Sequence, residues 1–164
     1  MDDDERSRAL SRLEGAGLRR AFPRGASLFL AGEAAENFYF LKAGEVRVFR
    51  TDSQGREVEV ARLRAGDFLG EAVALAGVAY PASAQAVRDT LTLSFSREPI
   101  LALAGRDPAV ARFLVDLLAR KCLVLNERVE ALGLRTVRLR LTQYLLSHCS
   151  GERGCLIELR LKKA

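Results

Sequence analysis

The sequence is poor in histidine and cysteine, and both shortages exclude classes of function. Its single histidine is His148, so residues 1–132 offer no imidazole for a metal centre. The three cysteines, at positions 122, 149 and 155, are an odd number and do not make a disulfide framework in a chain of 164 residues. Because no such framework is expected, a reducing compartment, the cytoplasm, fits the sequence best.

Long apolar runs and the common catalytic motifs are also missing. No apolar run approaches the ~18 residues that suggest a membrane-spanning helix. The N-terminus, Met1–Glu5, is acidic, which is the reverse of a signal peptide. The sequence contains no P-loop, Gly-x-Ser-x-Gly, His-Glu-x-x-His or Gly-x-Gly-x-x-Gly motif. It therefore predicts neither a membrane partner nor an enzyme.

The positive charge lies at one end of the chain. The net charge is +5, and residues 133–164 account for all of it with seven basic and two acidic side chains. The remaining residues are balanced in charge. This asymmetry indicates that the C-terminal end faces a polyanion such as DNA. The alternative explanation is an ordinary solvated basic helix.

Residues 18–96 have the pattern of short strands separated by glycine. The candidate strands are rich in β-branched or aromatic residues, and several alternate apolar with polar positions. They are residues 28–30, 38–41, 46–49, 58–61 and 91–95, with turns expected at Gly25, Gly32, Gly44, Gly55 and Gly66. The pattern predicts a β-barrel or jelly roll. We assign it to residues 18–105, after an N-terminal helical segment at residues 1–17.

Residues 106–133 have the pattern of one long helix. Asp107 and Pro108 make a good start and Gly133 a plausible stop. A 4-3 spacing of apolar or small residues predicts a coiled-coil seam of about three heptads. The seam, which we expect to form the interface of a homodimer, consists of Ala111, Val115, Leu118, Cys122, Leu125, Val129 and Leu132.

A second apolar stripe lies on a neighbouring face of the same helix. It consists of Val110, Phe113, Leu114, Leu117 and Val124, and we expect it to pack against the β-domain. The alternative is a single helix that is buried on a wide face of its own domain. The dimer is favoured because the polar residues between Asn126 and Glu130 leave the seam as the apolar surface there.

Residues 134–164 predict the beginning of another domain. A helix with an apolar face is expected from Thr136 to about Ser150, and residues 155–159 have the pattern of a strand. A helix and a strand are too little to enclose a core. The segment is therefore predicted to be the incomplete start of a domain.

Four stretches of the sequence, in this order, resemble one protein family. They are FYFLKAGEV at residues 38–46, RAGDFLGE at 64–71, YPASAQA at 80–86 and RLRLTQYLL at 138–146. Together they resemble the Crp/Fnr family of bacterial transcription regulators, and the resemblance covers nearly all of the chain. It implies a mostly β fold with added helices: a jelly-roll-like β-roll of the cyclic nucleotide-binding type, a dimerisation helix and the start of a winged helix-turn-helix domain.

The resemblance also implies partners. In the family, the β-roll senses a small-molecule effector, the long helix forms a parallel dimer, and the C-terminal domains bind DNA. The helix that reads DNA bases would lie beyond Ala164. We therefore expect no specific operator binding from residues 1–164.

The effector site that the resemblance implies is altered in this chain. In cyclic-AMP-binding members, a Gly-Glu turn offers backbone N–H groups to the phosphate, the glutamate holds the ribose, and an arginine about ten residues later clamps the phosphate. By position, Gly70, Glu71 and Ala72 form the turn here, but the arginine's place falls at Pro81. Ala82 and Ser83 follow, and no lysine or arginine lies between Gly70 and Arg88.

The end of the implied site that would bind the purine also differs from the family's pattern. Leu125 takes the place of a hydroxyl residue that reads the purine, with Asn126 beside it. We expect these two residues and the turn to hold a different effector, and we do not expect cyclic AMP. The alternative is a filled-in β-roll in which Glu71 only caps a turn.

The identity of the effector stays open. Some relatives bind haem and sense nitric oxide or carbon monoxide, and haem usually needs an axial His, Cys, Met or Tyr. Tyr39, Tyr80 and Cys122 are the remaining candidates, and a haem with one vacant axial position stays open. Three cysteines are too few for a four-cysteine iron–sulfur cluster.

Other classes are less well supported by the sequence. The spacing of His148, Cys149 and Cys155 matches no standard zinc site. A cupin-like metal enzyme would suit the jelly-roll pattern. Cupins usually need two or three histidines on the barrel strands, however, and residues 1–132 contain none. A cyclic-nucleotide regulatory module of a kinase or channel would not explain the basic segment after Gly133.

Overall fold

The computed structural model describes residues 3–133. The chain divides into two units, Met1–Leu118 and Ala119–Ala164. The predicted start of a DNA-binding domain, at residues 134–164, lies outside the described residues. Among residues 3–133, no helix is both long and apolar enough to cross a membrane.

The first unit is built around two four-stranded antiparallel sheets. One sheet has the strand order β1-β8-β3-β6 and the other β2-β7-β4-β5. The strands are β1 Leu18–Phe22, β2 Ser27–Phe29, β3 Asn37–Ala43, β4 Glu45–Thr51, β5 Glu57–Arg64, β6 Phe68–Leu69, β7 Ser83–Ala86 and β8 Thr90–Ser96. This arrangement confirms the predicted β-roll. The five predicted turn glycines all have positive φ angles.

Four helices accompany the sheets. They are α1 Asp3–Gly15, α2 Glu71–Ala76, α3 Arg97–Arg106 and α4 Pro108–Gly133. The Asp107 side chain accepts a hydrogen bond from the Ala109 N–H at 3.0 Å, which confirms the predicted cap of the long helix. Helix α4 ends at Gly133, as the sequence predicts.

Helix α3 was not expected, because residues 97–105 were assigned to the β-domain. Its ten residues end where Asp107 adopts an extended conformation, with φ −123° and ψ 100°. Pro108 disfavours a helical conformation at the residue that precedes it. The proline therefore separates α3 from α4, and the segment before it forms a helix of its own.

The apolar face of α4 completes the core of the first unit. Val110, Phe113, Leu114 and Leu117 are buried, as the second stripe predicts. The Phe113 ring lies 5.9 Å from the Phe68 ring. Val124 is 46% exposed and lies in the second unit, so its packing against the β-domain stays a prediction.

Helix α1 packs on the first unit with its own apolar side. Ala9 and Leu13 are fully buried in the core. Arg6 and Arg12 of α1 form ion pairs with Asp116 at 3.3 Å and Asp107 at 2.7 Å. These pairs are partly exposed, so each contributes little on its own. The buried apolar side chains supply most of the stabilisation.

Candidate functional site

The first part of the candidate site is the turn between β6 and α2. Gly70 has φ 79° and ψ 1°, a left-handed conformation that favours glycine, and it precedes the first residue of α2. That residue, Glu71, is 1% exposed. No side chain caps this end of the helix, while the Ala74 N–H donates to the Gly70 carbonyl at 3.0 Å. Ala72 is exposed.

An aromatic stack lies directly beside the turn. A Cβ atom added at Gly70 would be 3.2 Å from Cε1 of Tyr80 and 3.7 Å from Cε1 of Phe29. The rings of Tyr80 and Phe29 stack with their centroids 3.7 Å apart. The Tyr80 hydroxyl donates a hydrogen bond to the Asn37 carbonyl. Burial raises the pKa of Tyr80, so its hydroxyl remains a protonated donor.

The backbone around Tyr80 is also fixed. The Tyr80 N–H donates to the Glu33 carbonyl at 2.9 Å, and the Gly32 N–H donates to the Tyr80 carbonyl at 2.9 Å. The Ala35 N–H donates to the Val78 carbonyl at 3.3 Å. Residues 78–80 therefore run beside residues 32–35 as a short antiparallel pair, and this pair sets the position of the segment that follows.

The segment after Tyr80 carries no positive charge. Pro81 is exposed and has neither a backbone N–H nor a charged side chain. Ala82 and Ser83 are buried. The Ser83 hydroxyl accepts a hydrogen bond from the Ala31 N–H at 3.0 Å. Its oxygen is therefore engaged by the protein at the start of β7.

The sheet register separates apolar from charged side chains around Ala84. Val48 pairs with both Ala84 and Ala61, so these three residues share one face of their sheet. Arg47 pairs with Gln85 and therefore lies on the opposite face. Its guanidinium donates to Gln85 Oε1 at 2.6 Å and 2.9 Å. This arginine is thus turned away from the apolar face.

The first basic residue after the turn is Arg88, and it is engaged elsewhere. It forms an ion pair with Glu45, which also pairs with Arg62 at 3.3 Å. Burial acts to raise the pKa of Glu45, but the hydrogen bonds and charges of Arg88 and Arg62 outweigh this effect and lower the pKa. The Glu45 carboxylate therefore stays charged and holds Arg88.

The haem-ligand candidates are not arranged as an open coordination site. The Tyr39 hydroxyl donates to the Leu28 carbonyl at 3.3 Å, and its pKa is raised by burial. Tyr80 donates to Asn37, as described above. Cys122 is exposed on α4. Within residues 3–133, no group of three His, Cys, Asp or Glu side chains could hold a metal ion.

The residues expected to read a purine lie in the second unit. Leu125 is 56% exposed and Asn126 is exposed, both on α4. Gly70 and Pro81 lie in the first unit. A role for Leu125 and Asn126 in binding an effector stays a prediction.

The predicted dimer seam is largely uncovered in the single chain. Val115 is 67% exposed and Val129 66% exposed, and Cys122 and Leu125 are exposed too. Ala111 and Leu118 are half-buried. The Leu132 side chain lies outside the described part of the chain. The seam as a dimer interface stays a prediction.

A cavity of about 560 Å³ lies at the other end of α2. It is bounded by the loops around residues 32–37 and 77–79 and by the start of α3 at residues 96–99. Gly70 and Pro81 do not line it. It is therefore separate from the Gly70 turn, although the same short helix connects the two.

The sequence does not predict the aromatic stack at Gly70. It marks Tyr80 as a candidate haem ligand and as part of the YPASAQA stretch, and Phe29 as a strand residue. Both rings are aligned by pairing between residues that are about 50 positions apart, such as Phe29 with Ala84. The alternation of apolar and polar positions shows which strand residues are buried, but not which rings meet.

The first unit is thus a β-roll in which a left-handed glycine turn and a short helix lie beside an aromatic stack. The sequence profile of the family described as "Cyclic nucleotide-binding domain" matches residues 19–107. The chain belongs to this family and is a member of the Crp/Fnr group of regulators.

Individual relatives agree with this assignment. The chain is 36% identical to the Cyclic AMP receptor protein of Thermus thermophilus over 87% of its length and 66% of that protein. It is 29% identical to the Nitrogen fixation regulation protein FixK of Azorhizobium caulinodans, again over 87% of the chain but 56% of that protein. The crystal structure of Thermus thermophilus Catabolite Activator Protein matches with a TM-score of 0.66 at 36% identity, over 81% of this chain and 61% of that chain. The chain therefore spans less than two thirds of these relatives.

Proposed function

We propose that the chain is the effector-sensing and dimerising part of a DNA-binding transcription regulator, not an enzyme, and that its effector is not cyclic AMP. The statement about cyclic AMP rests on one observation: no cation lies where a cyclic phosphate would need one. Residues 71–87 contain no lysine or arginine. Arg47 and Arg88 are held by Gln85 and Glu45.

The names of the relatives point in two directions. One is named for cyclic AMP and another for the regulation of nitrogen fixation. A shared fold does not fix the ligand, because ligand chemistry depends on a few side chains in the site. The side chains at positions 81–83 are therefore the better guide.

Cyclic AMP should bind poorly to this chain. Two interactions with the nucleotide are missing: the charge-assisted hydrogen-bond pair at Pro81 and the hydrogen bond to the purine at Leu125. Each loss should cost ~2–3 kcal/mol of binding free energy. They act on opposite ends of the nucleotide, so their costs should roughly add. The total corresponds to about three to four decades in affinity, which turns a micromolar site into a millimolar or weaker one.

Titration calorimetry with cyclic AMP and cyclic GMP tests this part of the proposal. The expected result is no heat of binding below about 1 mM nucleotide. A dissociation constant near or below ~10 μM would contradict the proposal, since it would show that another residue supplies the phosphate clamp.

The resident effector is best sought on protein that is purified from its own host. Native mass spectrometry would show a bound small molecule, and an absorption spectrum would show haem. A Soret band would identify haem as the effector group, with Tyr39, Tyr80 and Cys122 as the first ligands to replace. A bound mass without such a band would indicate a different ligand of the Gly70 turn.

The dimer is proposed from the exposed side chains of α4. Val115, Leu125 and Val129 share the predicted seam and are each more than half exposed in the single chain. Apolar side chains at this spacing gain stability when a second helix covers them. A parallel pair of identical helices would cover all three positions at once.

Sedimentation of the wild-type chain and of Leu125→Lys tests the dimer. Two lysines facing each other in an apolar seam should dissociate the dimer at micromolar concentration, because each charge loses its hydration. Leu101→Lys is the control, since Leu101 is an exposed apolar residue of α3 outside the seam. A wild-type chain that sediments as a monomer at micromolar concentration would refute the dimer.

DNA is the proposed partner of the whole regulator, through the basic segment that follows Gly133. Seven basic side chains facing phosphates should give weak binding that falls steeply as salt rises. Fluorescence anisotropy with random-sequence DNA between about 50 and 200 mM salt measures that slope. Binding that does not change with salt would argue against a phosphate-facing surface.

A further inference from the structure

Three structural segments meet at the beginning of α3. Ser96 caps this helix and Arg97 begins it, while Asn37 begins β3 directly after Glu36. Tyr80 precedes Pro81 of the candidate site. All of them lie in the first unit, residues 1–118. Their polar groups are linked by hydrogen bonds, so the position of one segment constrains the others.

Asn37 is the centre of these links. Its backbone carbonyl accepts the hydrogen bond from the Tyr80 hydroxyl. Its side-chain oxygen accepts a hydrogen bond from the Ser96 hydroxyl at 2.9 Å. The neighbouring Glu36 carbonyl accepts from the Arg97 N–H at 2.9 Å. These bonds connect the Tyr80 hydroxyl, through residues 36 and 37, to Ser96 and to Arg97, the first residue of α3.

The ring of Tyr80 connects the same links to the effector turn. Its Cε1 atom lies 3.2 Å from the place where a Gly70 Cβ would stand, so the ring leaves no space for a side chain on that side of Gly70. The stack on Phe29 fixes the position of the ring. The Tyr80 ring therefore lies directly beside the turn at Gly70.

Arg97 makes a second link, to the other end of α2. Its Nε donates to the Leu75 carbonyl at 3.4 Å, near the last turn of the helix. Its guanidinium lies against Gly77, where an added Cβ would be 3.4 Å from Nε. The start of α3 therefore contacts the C-terminal end of α2 directly, and it is linked to Tyr80 through Asn37.

The other end of α3 leads directly to α4. The Asp107 N–H donates to the Leu103 carbonyl at 2.9 Å, which closes α3. The Asp107 side chain accepts from the Ala109 N–H at 3.0 Å, which opens α4. One residue thus ends one helix and caps the next, so a rotation of α3 changes the first turn of α4.

We propose that Tyr80 is a positioning residue that couples the Gly70 turn, through Asn37 and Ser96, to α3 and the first turn of α4. The coupling rests on the proposed function, because only an effector held at the Gly70 turn would make use of it. Tyr80 needs no contact with the effector for this role. It transmits the position of the turn to the helix that precedes the predicted dimer seam.

Amide hydrogen exchange on the ligand-free protein tests the coupling with a matched pair of variants. Tyr80→Phe keeps the ring and removes the hydroxyl that contacts Asn37. Tyr39→Phe is the control, because Tyr39 is equally buried and also stacks against Phe29 but donates to Leu28 instead. With Tyr80→Phe, the amides of Arg97 and Asp107 should exchange about fivefold faster, the equivalent of one lost hydrogen bond. Tyr39→Phe should leave both rates unchanged.

Three results would overturn the proposal. The first is unchanged exchange at residues 97–107 in Tyr80→Phe. The second is an equal acceleration of exchange at all protected amides of Tyr80→Phe, and the third is the same change at α3 in Tyr39→Phe. The last two would show only a general loss of stability. Ser96→Ala, at an exposed position, is the second variant and should accelerate the Arg97 amide in the same way. No effector enters the measurement, so its failure would leave the cyclic AMP prediction untouched.

Discussion

The two halves of the candidate site differ in what holds them. The turn at Gly70 and Glu71 is fixed by a left-handed backbone, a buried first helical residue and an aromatic wall at Tyr80. The segment from Pro81 to Ser83 has small side chains, and its hydroxyl serves the protein's own backbone. The turn at Gly70 keeps its shape, while the segment from Pro81 to Ser83 lacks the positive charge that would bind a cyclic phosphate.

Under the proposed function, this difference lets the fold stay fixed while its ligand changes. The shape of the turn depends on packing with the core, which most substitutions would disturb. The affinity for a cyclic phosphate depends on one or two side chains at the surface of the site, and these can change without cost to the core. Exposed Pro81 is such a position.

Gly70→Ala should give the largest effect, because it alters the half that is held by packing. An alanine at φ 79° costs ~1–2 kcal/mol of unfolding free energy from backbone strain alone. Contact with the stacked Tyr80 ring at 3.2 Å adds about 1 kcal/mol or more, since the ring has little room to yield. Urea denaturation of the variant measures the sum.

Gly55→Ala separates the two contributions. Gly55 has the same φ of 79°, and an added Cβ would have nothing within 4 Å. The control should therefore show the backbone cost without the contact cost. Equal losses of stability in the two variants would show that Tyr80 does not constrain the turn, and that the two halves of the site are less different than the geometry indicates.

Pro81→Arg combined with Ala82→Ser should give the next largest effect, on affinity. A guanidinium at position 81 would supply the charge-assisted pair that the wild-type chain lacks, worth ~1.5–3 kcal/mol. Cyclic AMP affinity should rise by about one to two decades, measured by calorimetry. The purine end, at Leu125, is unchanged in this variant, so full micromolar affinity is not expected.

Pro81→Lys with Ala82→Ser is the matched control for the restored clamp. Lysine brings the same charge but cannot form the planar bidentate pair, so it should recover less affinity than arginine. If neither double variant gains affinity, the turn at Gly70 no longer presents its N–H groups to a phosphate. The filled-in β-roll would then be the better description of this chain.

The fold was largely predictable from local patterns. Glycine at 25, 32, 44, 55 and 66 marked the turns, and the apolar spacing of residues 110–117 marked the buried face of α4. Helix α3 was missed, because Leu101 and Leu103 lie in a mixture of alanine and charged residues that has no clear stripe. The helix is stabilised by packing against the rest of the first unit, which buries Ile100.

The candidate site was predictable in its sequence positions but not in its contacts. The place of Pro81 and the turn at Gly70 and Glu71 follow from the resemblance, whereas the left-handed conformation of Gly70 comes from the structure. The stack of Tyr80 on Phe29 and the link from Asn37 to Ser96 depend on strand register, which joins residues about 50 positions apart. Local sequence patterns do not contain that information.

Pro81→Ala alone should have the smallest effect, and it tests whether the second half of the site has any structural role. A proline at an exposed position stabilises mainly by restricting the unfolded chain, which is worth ~0.4–1 kcal/mol. Pro23→Ala is the control, since Pro23 is exposed in the turn between β1 and β2, away from the site. The two variants should lose similar amounts of unfolding free energy in urea, and cyclic AMP should still fail to bind, because alanine supplies no charge. A loss at Pro81 that exceeds the loss at Pro23 by more than ~1 kcal/mol would show that the proline shapes the site itself. The absence of an arginine would then be only part of the reason for the proposed change of ligand.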